Sequence, residues 1–254
     1  SLGGIWRPYG GSQVLAMRSN NPVTVQDLAG AVAETIGPFP GGLVRTGMQL
    51  RANVAFTAGA VGAVNRDISL YAGPVGSGSG GGMFAFGRAN NSTVTAEGEL
   101  RGRIDIRSDS SVAHRATPSG ASASVLLADG YVTTTQNPVA LSPTINFSQP
   151  WEFSIVFKSA AETPVTITGA TWSGGVATYT TNAAHTLAVG DKDVVSGITP
   201  SGWNGTFIVS GVPDSTHFSV PMAVDPGAYT GGAAPQSSRI SNMVSQSYVL
   251  ELVG

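Results

Sequence analysis

Met48-Gln49-Leu50-Arg51-Ala52-Asn53-Val54-Ala55-Phe56-Thr57 decides the fold class. Met48, Leu50, Ala52, Val54 and Phe56 alternate with Gln49, Arg51, Asn53 and Thr57. A period of two puts one set of side chains on a core and the other towards solvent, which is a half-buried strand. The same period returns at Trp151, Phe153, Ile155 and Phe157 against Glu152, Ser154 and Lys158. It returns again in the closing stretch, where Tyr248, Leu250 and Leu252 oppose Val249, Glu251 and Val253.

Working outward, Ile68 with Leu70, Met83 to Phe86 and Glu99 to Arg107 read as further strands. Ser124 to Leu127 and Tyr131 to Thr134 flank Asp129-Gly130, a hairpin signal, and Ile145 to Phe147 reads as a short strand. Eight or nine strands at this spacing imply a sandwich or barrel. The expected fold is therefore all-β, a jelly-roll-like β-sandwich over residues 43–163 and 236–254.

One helix is expected before it. Thr24 stands as a cap with Asp27 three residues on, and Val23 and Leu28 stand as a hydrophobic staple. Val25, Leu28, Ala29, Val32, Ala33 and Ile36 share one helical face, and Gly37, Pro38 and Pro40 end it. Residues 1–23 read as an irregular arm with Trp6 and Tyr9 as aromatic anchors, so residues 1–42 form an arm and helix. Between Thr163 and Pro235 the texture changes to very short strands separated by Gly174-Gly175, Asn204-Gly205, Pro213-Asp214 and Pro226-Gly227. Residues 164–235 are expected to be an inserted small β-barrel-like domain.

Composition narrows the function classes. Of 254 residues only 11% are charged, and Lys158 and Lys192 are the two lysines. An average soluble domain carries roughly 25%. A surface so poor in charge suits one that neighbours cover. The net charge of −2 offers no footprint for nucleic acid or an anionic membrane. No cysteine is present, which excludes disulfides, thiol catalysis and cysteine-ligated zinc. No basic and apolar leader opens the sequence, and no apolar run is long enough for a membrane helix.

Ala184-His185-Thr186-Leu187-Ala188-Val189-Gly190-Asp191, Trp203-Asn204-Gly205-Thr206-Phe207 and Ser215-Thr216-His217-Phe218 are distinctive. Residues 165–233 resemble through them a small β-domain of phage tail and head proteins, similar to the first catalytic-cysteine half-domain of ubiquitin-activating enzymes. Without a cysteine no ubiquitin chemistry transfers. The stretches TGMQLRANVAF, Pro143 to Phe157 and SYVLELV resemble a jelly-roll domain of phage virion proteins. The two resemblances imply a structural part of a phage particle.

Candidate chemistry is sparse. His114, His185 and His217 lack metal-ligand spacing. Glu97, Glu99, Asp105 and Asp109 could pair as glycosidase carboxylates, but Arg101, Arg103 and Arg107 interleave with Glu99 and Asp105, which reads as a cross-strand charge ladder. Gly73 to Gly82 lacks the Gly-Lys-Ser/Thr of a phosphate loop. No catalytic residue, metal ligand or cofactor is expected. The residues expected to bind partners are Trp6, Tyr9, Val249 and Val253. The expected role is a capsid decoration protein on the virion surface, made in the host cytoplasm. It would act as a homotrimer against the major capsid protein or other virion proteins. A tail-fibre or baseplate protein binding host surface glycan, with Trp172, Trp203 and Tyr229 stacking on sugar, is the alternative. A glycan-processing enzyme ranks last.

Overall fold

The computed structural model describes residues 12–19, 21–59, 66–89, 96–106, 112–120, 139–140 and 145–254. Within them the chain is all-β. It enters through β1 (Ser12–Arg18), β2 (Val23–Val25) and β3 (Ala31–Phe39). Next come β4 (Gln49–Ala58), β5 (Arg66–Pro74), β6 (Gly82–Ala89) and β7 (Ala96–Ile106). Then follow β8 (Val112–Gly120), β9 (Val139–Ala140) and β10 (Trp151–Lys158). A run of short strands comes after: β11 (Val165–Ser173), β12 (Val176–Thr181), β13 (Lys192–Ser196) and β14 (Gly205–Ile208). The chain closes with β15 (Gly211–Asp214), β16 (His217–Pro221), β17 (Gln236–Arg239) and β18 (Met243–Val253).

Three antiparallel sheets result. The first has the order β1-β18-β4-β7-β8-β9, with β2 also on β18; the second is β3-β10-β5-β6; the third is β14-β13-β17-β11-β12-β16-β15. The first two face each other as a sandwich. Leu50, Ala52, Val54, Phe56 and Ala58 of β4 are buried, as the alternation requires, and meet Phe153, Ile155 and Phe157 of β10 in one core. The Phe56 and Phe157 rings stand 6.4 Å apart across it. At Gly102 of β7 a Cβ would come within 2.6 Å of the Phe84 ring, so glycine sets how closely the sheets approach there. Trp151 is fully buried, with Phe39 at 4.6 Å and Phe147 at 5.2 Å. Ile145 and Phe147 are buried too, on a turn rather than a strand.

Residues 24–36 are not a helix. They supply β2 and β3, and the helical stretches among the described residues are two three-residue 3-10 turns, Gly78–Gly80 and Ser201–Trp203. Asp27 does accept hydrogen bonds like a cap, from the Ala29 and Gly30 N–H groups at 2.8 and 3.0 Å. Gly30 then takes φ +98°, which turns the chain out of any helix. The apparent helical stripe has a second cause. The β3–β10 ladder shifts register twice, so Ala31, Ala33, Ile36 and Phe39 reach the core at spacings of two and three. The β-branched Val32, Thr35 and Ile36 suit the strand.

A bulge also resets β18. Met243 and Ser245 point inward, the register slips between Ser245 and Ser247, and Leu250 and Leu252 point inward after it. Arg18 of β1 bridges to the other sheet. It pairs with Glu34 of β3, donates to the Ser245 hydroxyl at 2.6 Å, and lies 5.6 Å over the Tyr248 ring.

The third sheet has a separate core of Ile167, Ala177, Tyr179, Trp203, Phe218 and Val220. Tyr179 stacks on Phe218 at 5.0 Å and donates to the Trp203 carbonyl at 2.7 Å. Its strand β17 comes from beyond residue 235 and pairs with β11 and β13. The two chain crossings meet at the Ala161–Ile240 bridge, where Glu162 N–H donates to Arg239 O at 2.7 Å.

Candidate functional site

The outward face of the first sheet carries the clearest surface feature. Directly opposed residues share a face, so Met17 of β1 stands with Val249 of β18, Val14 with Glu251, and Ser12 with Val253. Met17 is 63% exposed and Val14 47%, while Val249 and Val253 are half-buried. Together they make an apolar strip at the margin of the sheet. Among the described residues β1 pairs only with β18, so its outer edge is open to another strand. Val14 and Met17 escape a sequence reading because Gln13, Leu15 and Met17 show no alternation with Val14 and Ala16. The bulge between Val14 and Ala16 removes it. Trp6 and Tyr9 lie outside the described residues, as does the Asp129-Gly130 hairpin.

Beside the strip lie the charged residues expected to form a cross-strand ladder, and the ion pair of Arg101 with Glu99 is within one strand. Arg51 is opposed by Arg103 and Asn53 by Arg101. Arg101 pairs with Glu99 at 2.6 Å, and Asn53 donates to the same carboxylate. Glu99 is thus held by Arg101 and Asn53. The side chains of Glu97, Asp105, Asp109 and His114 lie outside the description.

The remaining candidates have structural work. Glu152, buried on β10, accepts from the Gly78 N–H at 3.1 Å and holds the glycine-rich loop down. A Cβ at Gly73 would meet Ser77 Oγ at 2.5 Å, so close packing accounts for glycine there. Trp203 is buried and donates to Gly227 O at 3.2 Å. Trp172 donates to Met222 O at 2.7 Å and Tyr229 to Ile167 O at 3.1 Å. The three aromatics proposed for sugar therefore anchor the small core.

The distinctive motif is likewise accounted for by turns. His185 Nδ1 accepts from the Leu187 N–H at 3.3 Å and its ring meets Phe218 edge-on at 5.6 Å. Asp191 accepts from the Ala188 N–H at 2.9 Å, and Gly190 has φ +93°. Asn204 donates to Ile198 O at 2.8 Å and accepts from the Ile198 N–H at 2.9 Å. His217 and Thr216 hold the exposed Asp214 carboxyl down to about 2. Among the described residues no group of three or more His, Asp or Glu could hold a metal ion. No helix among them is long and apolar enough to cross a membrane.

A buried polar cluster occupies the root of the third sheet, and the sequence reading missed it because its members lie far apart in the chain. Arg239 pairs with Glu162 at 2.5 Å and with Asp191 at 3.4 Å. The Thr186 hydroxyl donates to Glu162 at 3.0 Å. Arg66 is fully buried, and burial lowers its basicity while Glu162 supports its charge. Asp193, also fully buried, accepts from Ser237 at 2.9 Å. Burial lifts its carboxyl to about 6. The Ser237 hydroxyl and Val194 N–H oppose the lift; Asp191 and Glu162 add to it.

No family model matches the chain, so the likeness of residues 165–233 to a half-domain of ubiquitin-activating enzymes finds no support. No curated protein matches either. Among solved structures the chain bears a faint likeness to the CBM2 module of the evolved Dit of Lactobacillus casei BL23 phage J-1. The comparison covers 83% of this chain and 67% of that one, at 11% identity and a TM-score of 0.15, and at that score it carries no argument about fold or function.

Proposed function

We propose that the chain is a non-catalytic structural component of a bacteriophage particle. In this reading it is a decoration protein on the outer capsid surface, and it works as a homotrimer against the major capsid protein. The sandwich would be of jelly-roll type, and residues 164–235 would be an inserted unit. The observation that carries the reading is the strip of Val14, Met17, Val249 and Val253 beside an open sheet edge, on a chain with 11% charged residues. Apolar side chains exposed together beside an unpaired edge call for cover, and a charge-poor chain stays soluble best when neighbours supply it. The resemblance of TGMQLRANVAF, Pro143 to Phe157 and SYVLELV to a jelly-roll domain of phage virion proteins supports the particle assignment. Trp6 and Tyr9 would add contacts to the capsid shell.

Light scattering and co-sedimentation with capsid shells test this. The parent is expected to be a trimer that sediments with shells. Val14→Asp with Met17→Asp changes two exposed positions, so the sandwich stays folded, while trimer and shell affinity fall by more than about tenfold. Removal of residues 1–11, which leaves β1 whole, is expected to weaken shell binding alone. A parent that is a stable monomer contradicts the trimer. Cleavage of host polysaccharide, seen as new reducing ends, contradicts the non-catalytic assignment.

A further inference from the structure

The loop between β2 and β3 is hydrogen-bonded both to the sandwich and to the third sheet. On the sandwich side it is fixed through the end of β10: the Ser159 N–H donates to Asp27 O at 2.8 Å and the Ser159 hydroxyl to Val25 O at 3.1 Å. From that anchored loop the Gln26 side chain reaches across to the root of the third sheet. Its Nε2 donates to Ile240 O at 2.8 Å and to Asp191 Oδ1 at 3.3 Å. Its Oε1 accepts from the Lys192 backbone N–H at 3.1 Å. The Lys192 ammonium closes the arrangement by donating to Gln26 O at 3.0 Å.

An amide is suited to this position. It offers a donor and an acceptor in one plane, so it can meet a carbonyl on β17's extension and an N–H on β13 together. Those two strands are themselves neighbours in the third sheet, and Ile240 N–H donates to Lys192 O at 2.8 Å. Gln26 therefore grips the unit where two of its strands are already bonded to each other. The covalent links are the two adjacent chain crossings near Ala161 and Ile240, braced on one side by the Thr186–Glu162 and Arg239–Asp191 contacts. Such a pair of crossings forms a hinge, and Gln26 is the contact that ties the unit to the separate β2–β3 loop. Units joined in this way move relative to one another unless an interface holds them.

We propose that Gln26 is a latch that fixes the inserted unit in one orientation on the sandwich, through its paired hydrogen bonds to Lys192 and Ile240. This rests on reading residues 164–235 as a separate unit, and it is independent of the phage assignment. Glutamate fails as a replacement. Its carboxylate still accepts from Lys192 but has no donor for the Ile240 carbonyl and meets the Asp191 carboxylate with like charge. The latch thus needs the amide and not merely a polar chain of that length.

The absence of cysteine allows a direct test. Cysteines introduced at Thr35 and Ser201, both exposed, carry spin labels on the sandwich and on the inserted unit. The parent is expected to give one narrow label-to-label distance distribution. Gln26→Ala and Gln26→Glu are each expected to broaden it about twofold, with both cores still protected from hydrogen exchange. Lys192→Met, which keeps the backbone N–H, is expected to broaden it less. A broad distribution in the parent overturns the latch whatever the variants do. An unchanged narrow distribution in Gln26→Ala overturns it as well.

Discussion

Replacing Trp151 by Ala is expected to destabilise the sandwich by roughly 3–5 kcal/mol, the cost of emptying a large aromatic site in a packed core. Trp151 is fully buried, and it holds together three parts of the fold. Its ring meets Phe39 of β3 and Phe147 of the turn before β10, while its backbone pairs with both β3 and β5. The third sheet draws on none of these contacts, because its core is a different set of residues. Denaturant unfolding followed by hydrogen exchange should therefore show early loss of protection in β5 and β10 and unchanged protection in β12 and β16. Equal loss in both units would show that the two cores unfold as one. Trp151→Phe should cost less, since the indole nitrogen has no hydrogen-bond partner to lose.

Strands whose alternation is unbroken were open to sequence reading. β4 and β10 follow the period of two along their length, and their inward residues are the ones expected. β3 was not, because two register shifts give its inward residues a spacing close to that of a helix. Asp27 strengthened the wrong reading by making a real cap-like turn that leads into a strand. β1 stayed hidden for the same reason on a smaller scale, and with it the exposed Val14 and Met17. Val249 and Val253 could be singled out because the last strand is apolar on both faces, although its bulge at Gln246 could not. The root cluster of Arg66, Glu162, Asp191, Asp193 and Arg239 brings together four distant stretches. Only the folded topology makes them neighbours, so no local pattern announces it.

Replacing Asp193 by Asn is expected to stabilise the third sheet at neutral pH by about 1–3 kcal/mol. Burial raises the Asp193 carboxyl from 3.8 to about 6. A lift of about two units corresponds to about 3 kcal/mol against the ionised form in the folded chain. The folded state holds the proton more tightly than the unfolded one. Its contribution to stability is therefore full below about pH 4, falls as pH rises towards about 6, and is absent above that. Asn keeps an oxygen to accept from Ser237 and carries no charge to bury. Unfolding free energies measured from about pH 4 to about pH 7 should fall in the parent and stay level in the variant, as far as this group contributes. A variant with the parent's pH profile would show that Asp193 does not set that slope.

A place on the outside of a phage particle can be seen in an image of intact purified particles. Density is expected on the outer capsid surface, in clusters of three, into which the β1–β10 and β18 sandwich fits with the third-sheet unit attached at the Ala161–Ile240 bridge. Density for the chain on the tail instead would contradict the decoration assignment, and purified particles that lack the chain altogether would contradict the virion assignment itself.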